Sequence, residues 1–286
     1  MSGPMRLDAA LLESFPLPRL SEDGDKEDRG RIAIVAGSPE VPGAAILAAN
    51  AAMRAGAGKL RIVTDEAVAT AIAIAATGAR VIAGFGSAGR ATEGVDALVI
   101  GCGMDPGPDL ERLLAEVLAS DKGLPLVLDA AALDCLPDLA EEARARGGGI
   151  VLLPHAREMA GLIACAPEEV EIDPPTAVRR AAERYHAVAL VKGRFSHIAA
   201  PDGRLFRFEG GGVGLATSGS GDVLAGIVGG LAARGADVLT ATLWGVWLHG
   251  EAGRMLTERV GRVGFLADEI AELVPGLLES NSTPSS

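Results

Sequence analysis

Gly210-Gly-Gly-Val-Gly-Leu-Ala-Thr-Ser-Gly-Ser-Gly-Asp222-Val-Leu-Ala-Gly-Ile-Val-Gly-Gly-Leu-Ala-Ala-Arg-Gly235 is the stretch on which the fold turns. Glycines crowd its first half. Its second half carries Val223, Leu224, Ile227, Val228 and Leu231 at helical spacing. Arg234 and Gly235 then supply a cation and a glycine terminator in the order expected of a helix end. A glycine loop therefore runs into a helix, with Asp222 in its first turn. The first N–H groups of a helix lack intrahelical partners, and that end carries roughly +0.5 charge. Gly219 and Gly221 have no Cβ to keep a phosphate from those amides, so Gly219, Ser220 and Gly221 read as an anion hole. Asp222 has two readings there. It is a cap for the helix, or a general base that takes a proton from a hydroxyl attacking phosphorus. The surrounding glycines favour the base, because a cap does not need them.

Outward from this loop the chain alternates strand and helix. Residues 31–36 read as a buried strand, 44–56 as an Ala-rich helix and 59–64 as a second strand. Further strands are expected at 79–83, 97–101, 124–129, 150–153 and 187–191, and helices at 109–120, 174–185 and 240–255. Repeated βαβ units imply a parallel sheet with right-handed crossovers. Residues 197–200 and 205–208, joined by Pro201-Asp-Gly-Arg, read as an antiparallel hairpin at the sheet edge. Two tempting motifs fail. Gly56-Ala-Gly-Lys59 precedes a strand and has Leu60 where a P-loop needs Ser or Thr. Pro106 spoils Gly101-Cys-Gly-Met-Asp-Pro as a dinucleotide fingerprint, and the better account is a bend that lets a ligand approach backbone at Gly103.

Several residues fall at the carboxyl ends of the expected strands, the ligand side of a parallel sheet. Asp129 closes one strand. His155 and Glu158 follow another, three apart and so on one helical face. Lys192-Gly193 follows an apolar run and reads as a phosphate contact. His249, in the last long helix, reads as a packing residue.

Composition narrows the class. The chain is 49% hydrophobic but only 3% aromatic, so Ala, Val, Ile and Leu must build the core, as suits buried parallel strands. A net charge of −12 disfavours a nucleic-acid partner, and an anionic ligand must be held by a local positive site against that field. Cys102, Cys135 and Cys165 form no Cys-x-x-Cys pair, which reads as reduced thiols in a cytoplasmic protein. A structural zinc site lacks the clustered ligands it needs. Asp8 and Glu13 interrupt the opening residues, so no secretory signal is expected, and no apolar run is long enough for a membrane span. The expected organisation is a lead-in over 1–30, one catalytic domain over 31–279 and a disordered tail over 280–286.

The Gly-Ser-Gly-Asp loop resembles the Gly-x-Gly-Asp signature of ribokinase-like phosphotransferases. The longer string 214–227 is similar to that of their ADP- or ATP-dependent NAD(P)H-hydrate dehydratases. Gly37-Ser38, Gly43-Ala44, Arg54-Ala-Gly-Ala-Gly58, Pro154-His155-x-x-Glu158-Met159 and His249-Gly-Glu-Ala also match that family. The chain departs from it at Asp25–Asp28, Ala131 and Ala156-Arg157. The resemblance implies a three-layer α/β/α fold with a mainly parallel sheet, and a homo-oligomer. It implies that Asp222 is the catalytic base, with Ala44, Gly103, His155 and Asp222 around the substrate. It places the adenine nucleotide on Lys192, Gly193, Arg194, Phe195, Ser196 and Gly221, and Mg²⁺ near Asp129 and, through water, Glu158. The implied reaction is removal of water from hydrated NADH or NADPH at the cost of ADP or ATP. A kinase for a small alcohol, such as a vitamin precursor or sugar, and a nucleotide-binding protein with reduced activity are the alternatives.

Overall fold

The computed structural model describes residues 3–19, 28–120 and 123–282. In chain order the elements are β1 (Met5–Leu7), α1 (Ala9–Leu12), β2 (Arg31–Val35), α2 (Gly43–Arg54), β3 (Lys59–Thr64), α3 (Ala69–Ala75), β4 (Ala79–Ala83), α4 (Ala88–Thr92), β5 (Ala97–Ile100), α5 (Pro108–Ala119), β6 (Leu126–Leu128), α6 (Ala131–Cys135), α7 (Ala140–Arg146), β7 (Ile150–Leu152), α8 (Ala156–Ile163), α9 (Pro167–Ile172), α10 (Pro174–Tyr185), β8 (Val188–Val191), β9 (Phe195–Ala199), β10 (Leu205–Glu209), α11 (Ser220–Ala233), α12 (Val238–Arg259) and α13 (Ala267–Ser282). The strands form one ten-stranded sheet in the order β1-β10-β9-β8-β7-β6-β5-β2-β3-β4. From β4 to β8 neighbouring strands are parallel, whereas β9 runs antiparallel to both β8 and β10.

Strand periodicity produces the three layers. Side chains alternate across a strand, and in β2 Ile32 and Ile34 join one core while Ala33 and Val35 join the other. The first core is closed by residues of α1, α2, α3, α11, α12 and α13, the second by residues of α4 to α10. The expected three-layer α/β/α architecture, with a mainly parallel central sheet, is therefore what the chain adopts.

Small residues replace aromatic bulk by letting backbones approach. A Cβ on Gly226 would lie 2.2 Å from the Ala48 carbonyl oxygen, and one on Gly230 2.5 Å from that of Ala52. Those glycines share one face of α11 and admit Ala-rich α2. Gly229 faces the sheet, where a Cβ would meet Val99 at 2.4 Å. Arg234 closes the pair of helices by donating from Nη1 to the Ala55 carbonyl at 2.9 Å.

The sheet order reverses between β2 and β5. From β2 the chain winds outward through β3 and β4, and from β5 it winds the opposite way through β6, β7 and β8. The loops leaving the carboxyl ends of β2 and β5 meet at this reversal, the general place for a ligand in an open α/β sheet, and the Gly37 N–H donates to the Cys102 carbonyl at 2.9 Å.

Two expectations about the ends need correction. The N-terminal segment is no detached lead-in: β1 pairs with β10, Leu7 and Leu12 are buried, and Trp244 Nε1 donates to the Phe15 carbonyl at 2.7 Å. The hairpin β9–β10 consequently lies one strand inside the edge. A three-residue strand is too short to show alternation, which is why the sequence reads there only as an amphipathic piece. Ser280–Ser282 continue α13 instead of opening a loose tail. The charged stretch with Asp25–Glu27, and residues 283–286, lie outside the described residues. Among the described residues no helix is long and apolar enough to cross a membrane.

Candidate active site

The glycine loop runs into α11, and Asp222 in its first turn lies beside Cys102 and Asp129 at the point where the sheet order reverses. Gly219 is the residue before the helix and has φ +87°, the left-handed region in which a side chain is strained. A Cβ there would also collide with Leu47 at 2.4 Å. Glycine at 219 is thus needed to turn the chain, whatever else its bare amide does. Asp222 lies in the first turn, partly buried.

Behind Asp222 the loops after β5, β6 and β8 bring three side chains together. Donor atoms of Cys102, Asp129 and Asp222 all lie within 4.8 Å of one another. Lys192 Nζ bonds Asp129 Oδ1 at 2.9 Å, with side chains 25% and 4% exposed. Gly221 sits directly over this pair: a Cβ there would be 3.4 Å from Lys192 Nζ and 3.5 Å from Asp129 Oδ2. A side chain at 221 would stand in ordinary contact with both charged groups, and glycine leaves that space open.

The electrostatics follow from this crowding. Burial pushes the Asp222 carboxyl up to about 6, the like charge of Asp129 adds to it, and the Cys102 thiol and the Lys192 ammonium work against it. Such a group is ionised at neutral pH yet basic enough to accept a proton. The Cys102 thiol is pushed well above its ordinary range by burial and by both aspartates, so it stays protonated and hydrogen-bonds Asp222. Lys192 feels burial that would discharge it, but the charge and hydrogen bond of Asp129 outweigh that and raise it above its ordinary value.

Other expected residues sit differently. His155 and Glu158 form a capping box at the start of α8: the His155 backbone N–H donates to Glu158 Oε2 at 2.8 Å, and the Glu158 N–H donates to His155 Nδ1 at 3.2 Å. The His155 ring remains 55% exposed on the rim, beside Lys192 through a backbone bridge. Gly103 and Ala44 touch each other. A Cβ on Gly103 would lie 2.4 Å from Ala44 Cβ and 2.7 Å from the Val41 carbonyl, so the empty space at 103 is filled by α2 and the loop before it, and Ala44 is only 2% exposed. Gly193 and Arg194 are exposed, but Phe195 and Ser196 belong to β9, with Ser196 paired to Phe208. The Arg207 and Arg194 guanidiniums lie 4.2 and 5.3 Å from the Phe195 ring centre.

The residues named for Mg²⁺, Asp129 and Glu158, each already hold a partner through one oxygen. Mg²⁺ wants hard oxygen ligands in octahedral array. One Glu158 oxygen is engaged in the cap, Asp129 is bonded to an ammonium, and the third member of the clustered donors is a protonated thiol.

Sequence reasoning treated Cys102 only as a reduced thiol and missed its contact with the base. The available signal was its place just past β5, at the point where the sheet order reverses. His249 was read as packing, yet its Nε2 lies 3.0 Å from Ser220 Oγ.

A family model described as NAD(P)H-hydrate dehydratase matches residues 32–276. The chain belongs to the NAD(P)H-hydrate dehydratase family. The matched segment holds every residue of the site just described. Among curated relatives, the ADP-dependent (S)-NAD(P)H-hydrate dehydratase of Xanthomonas campestris is 45% identical over 98% of both chains. That of Neisseria meningitidis serogroup B is 36% identical over 95% of this chain and 93% of its own. Among solved structures, the ADP/ATP-dependent NAD(P)H-hydrate dehydratase of Bacillus subtilis, co-crystallised with ATP/Mg²⁺, superposes with a TM-score of 0.86 at 27% identity, covering 98% of this chain and all of that one.

Proposed function

We propose that this chain is a nucleotide-dependent hydro-lyase that returns hydrated NADH or NADPH to the reduced coenzyme. Residues 31–279, with the N-terminal strand β1 paired into their sheet, act as one catalytic domain, and Asp222 is the general base. The ring hydroxyl of the hydrate attacks the terminal phosphorus of ADP or ATP. Its O–H proton passes to Asp222, the new O–P bond forms, and the bond to the departing nucleotide breaks. The C–O bond then breaks with phosphate as leaving group, and loss of a proton from the adjacent carbon restores the ring double bond. The amides of Gly219, Ser220 and Gly221 and the Lys192 ammonium face the charge that grows on the moving phosphoryl group. The nucleotide enters as its Mg²⁺ complex. His155, on the exposed rim, and the Gly193-Arg194 turn are placed to meet substrate and nucleotide. Reduced conditions in the cytoplasm suit the three unbridged cysteines.

The observation that carries this reading is Asp222 beside the bare amides, pushed to about 6 mainly by burial, in a chain of this family. The test is incubation of the purified protein with hydrated NADPH and either ADP or ATP. Absorbance in the reduced-nicotinamide band should rise in step with released phosphate. A stable phosphoester on a small alcohol, with no nicotinamide signal, would reassign the chain as a kinase. Thermal stabilisation by nucleotide without any turnover would leave it a binding protein.

A further inference from the structure

We infer that His249 is a positioning residue for the anion hole, acting as a neutral imidazole with its proton on Nε2; the inference rests on the phosphoryl-transfer reading above. His249 comes from α12, which contributes nothing to the glycine loop itself. Its Nε2 lies 3.0 Å from Ser220 Oγ and 3.1 Å from the Ser220 carbonyl oxygen. A carbonyl oxygen only accepts, so a ring nitrogen that close to it must carry the hydrogen. Nε2–H therefore donates, shared between the carbonyl and the hydroxyl oxygen of Ser220. The ring is neutral across ordinary assay pH, because burial drives it down to about 4.

That tautomer decides what Ser220 can do. With Nε2 as donor, Oγ accepts from the ring and keeps its own proton. The hydroxyl is then a donor for an anion seated on the amides of residues 219–221. The opposite tautomer would take that proton and set the ring lone pair against a carbonyl lone pair. Ser220 is 6% exposed and is the first residue of α11, so its carbonyl and hydroxyl orient the turn that carries Gly221 and Asp222. The helix that carries the ring is itself closely packed: a Cβ on the next residue, Gly250, would meet Phe208 at 2.1 Å, and one on Gly253 would meet Leu215 at 2.6 Å.

The test has a structural arm and a kinetic arm. Long-range ¹H–¹⁵N spectra of histidine-labelled protein, with His249 assigned by its loss in His249→Gln, should show Nε2 protonated and no ring titration between pH 5.5 and pH 8. A proton on Nδ1 overturns the inference, whether or not the proposed reaction is correct. In the kinetic arm, Ser220→Ala and His249→Leu should each lower kcat by roughly 10²- to 10³-fold, as loss of one donor in such a hole does. KM for the nicotinamide substrate should stay nearly unchanged. The double variant should be no worse than the poorer single, because the two act as one unit. His249→Gln places an amide N–H near the same position and should recover most of kcat. Equal damage from Gln and Leu at matched Tm, or additive losses in the double variant, would refute the role. Should His249→Leu not fold, Ser220→Ala and His249→Gln carry the kinetic arm. If the wild type shows no turnover, the failure belongs to the reaction assignment, and ATP affinity of Ser220→Ala, expected several-fold weaker, replaces kcat.

Discussion

Asp222→Asn should make the protein more stable and nearly inactive together. In the folded chain the Asp222 carboxyl is raised from 3.8 to about 6, first by burial and then by Asp129. A raised carboxyl favours the protonated form, so ionising it costs the folded state. At about 1.4 kcal/mol per pH unit the full cost is roughly 3 kcal/mol, and solvent at the partly open rim reduces it to roughly 1–2 kcal/mol. Below 3.8 the group is protonated both folded and unfolded, and the cost vanishes. It grows as pH rises between those two values and is fully in force above about 6. Asn keeps the acceptor for Cys102 and carries no charge, so it removes the cost. Urea denaturation of both proteins at pH 8 should show the Asn variant more stable by about 1–2 kcal/mol, with the gap closing toward pH 4. Turnover should fall by roughly 10²–10⁴, the usual worth of a positioned base. A destabilised Asn variant, a gap independent of pH, or retained turnover would refute the reasoning.

Wild-type kcat/KM should fall below pH 6 as Asp222 takes up its proton, and removal of the thiol donor in Cys102→Ala should move that acid limb to higher pH, measured by steady-state rates across a pH series. Asp129→Ala should move the same limb to lower pH by removing a like charge. It should also cost about 3 kcal/mol in urea denaturation, because a partly buried Lys192 loses its partner. Gly226→Ala should destabilise by about 1–3 kcal/mol, since its Cβ would stand 2.2 Å from the Ala48 carbonyl. Gly161→Ala, with nothing within 4 Å in the middle of α8, should instead be neutral or gain up to about 1 kcal/mol, and Tm values of the pair test the contrast.

What could be read in advance and what could not divide along a physical line. Helix and strand periodicity, the glycine-to-helix junction and the acid in its first turn are local properties. They were legible as the α/β class, the parallel crossovers and the base in an anion pocket. Even the end of α11 at Arg234 and Gly235 is a local capping pattern. The partners of those residues were not legible, because they are set by which strands become neighbours. Asp129 and Lys192 are 63 residues apart and become an ion pair only through the order β8-β7-β6-β5. Cys102 meets Asp222 only because α11 crosses the sheet where β5 and β2 diverge. Only the packing shows that a side chain at Gly103 would meet Ala44 and the Val41 carbonyl. His155 and Glu158 share a helical face by spacing alone, and the structure adds that they cap α8. Local sequence thus specifies a carboxylate among bare amides. Long-range packing sets how basic that carboxylate is, since burial and neighbouring charge arise only once distant strands are side by side.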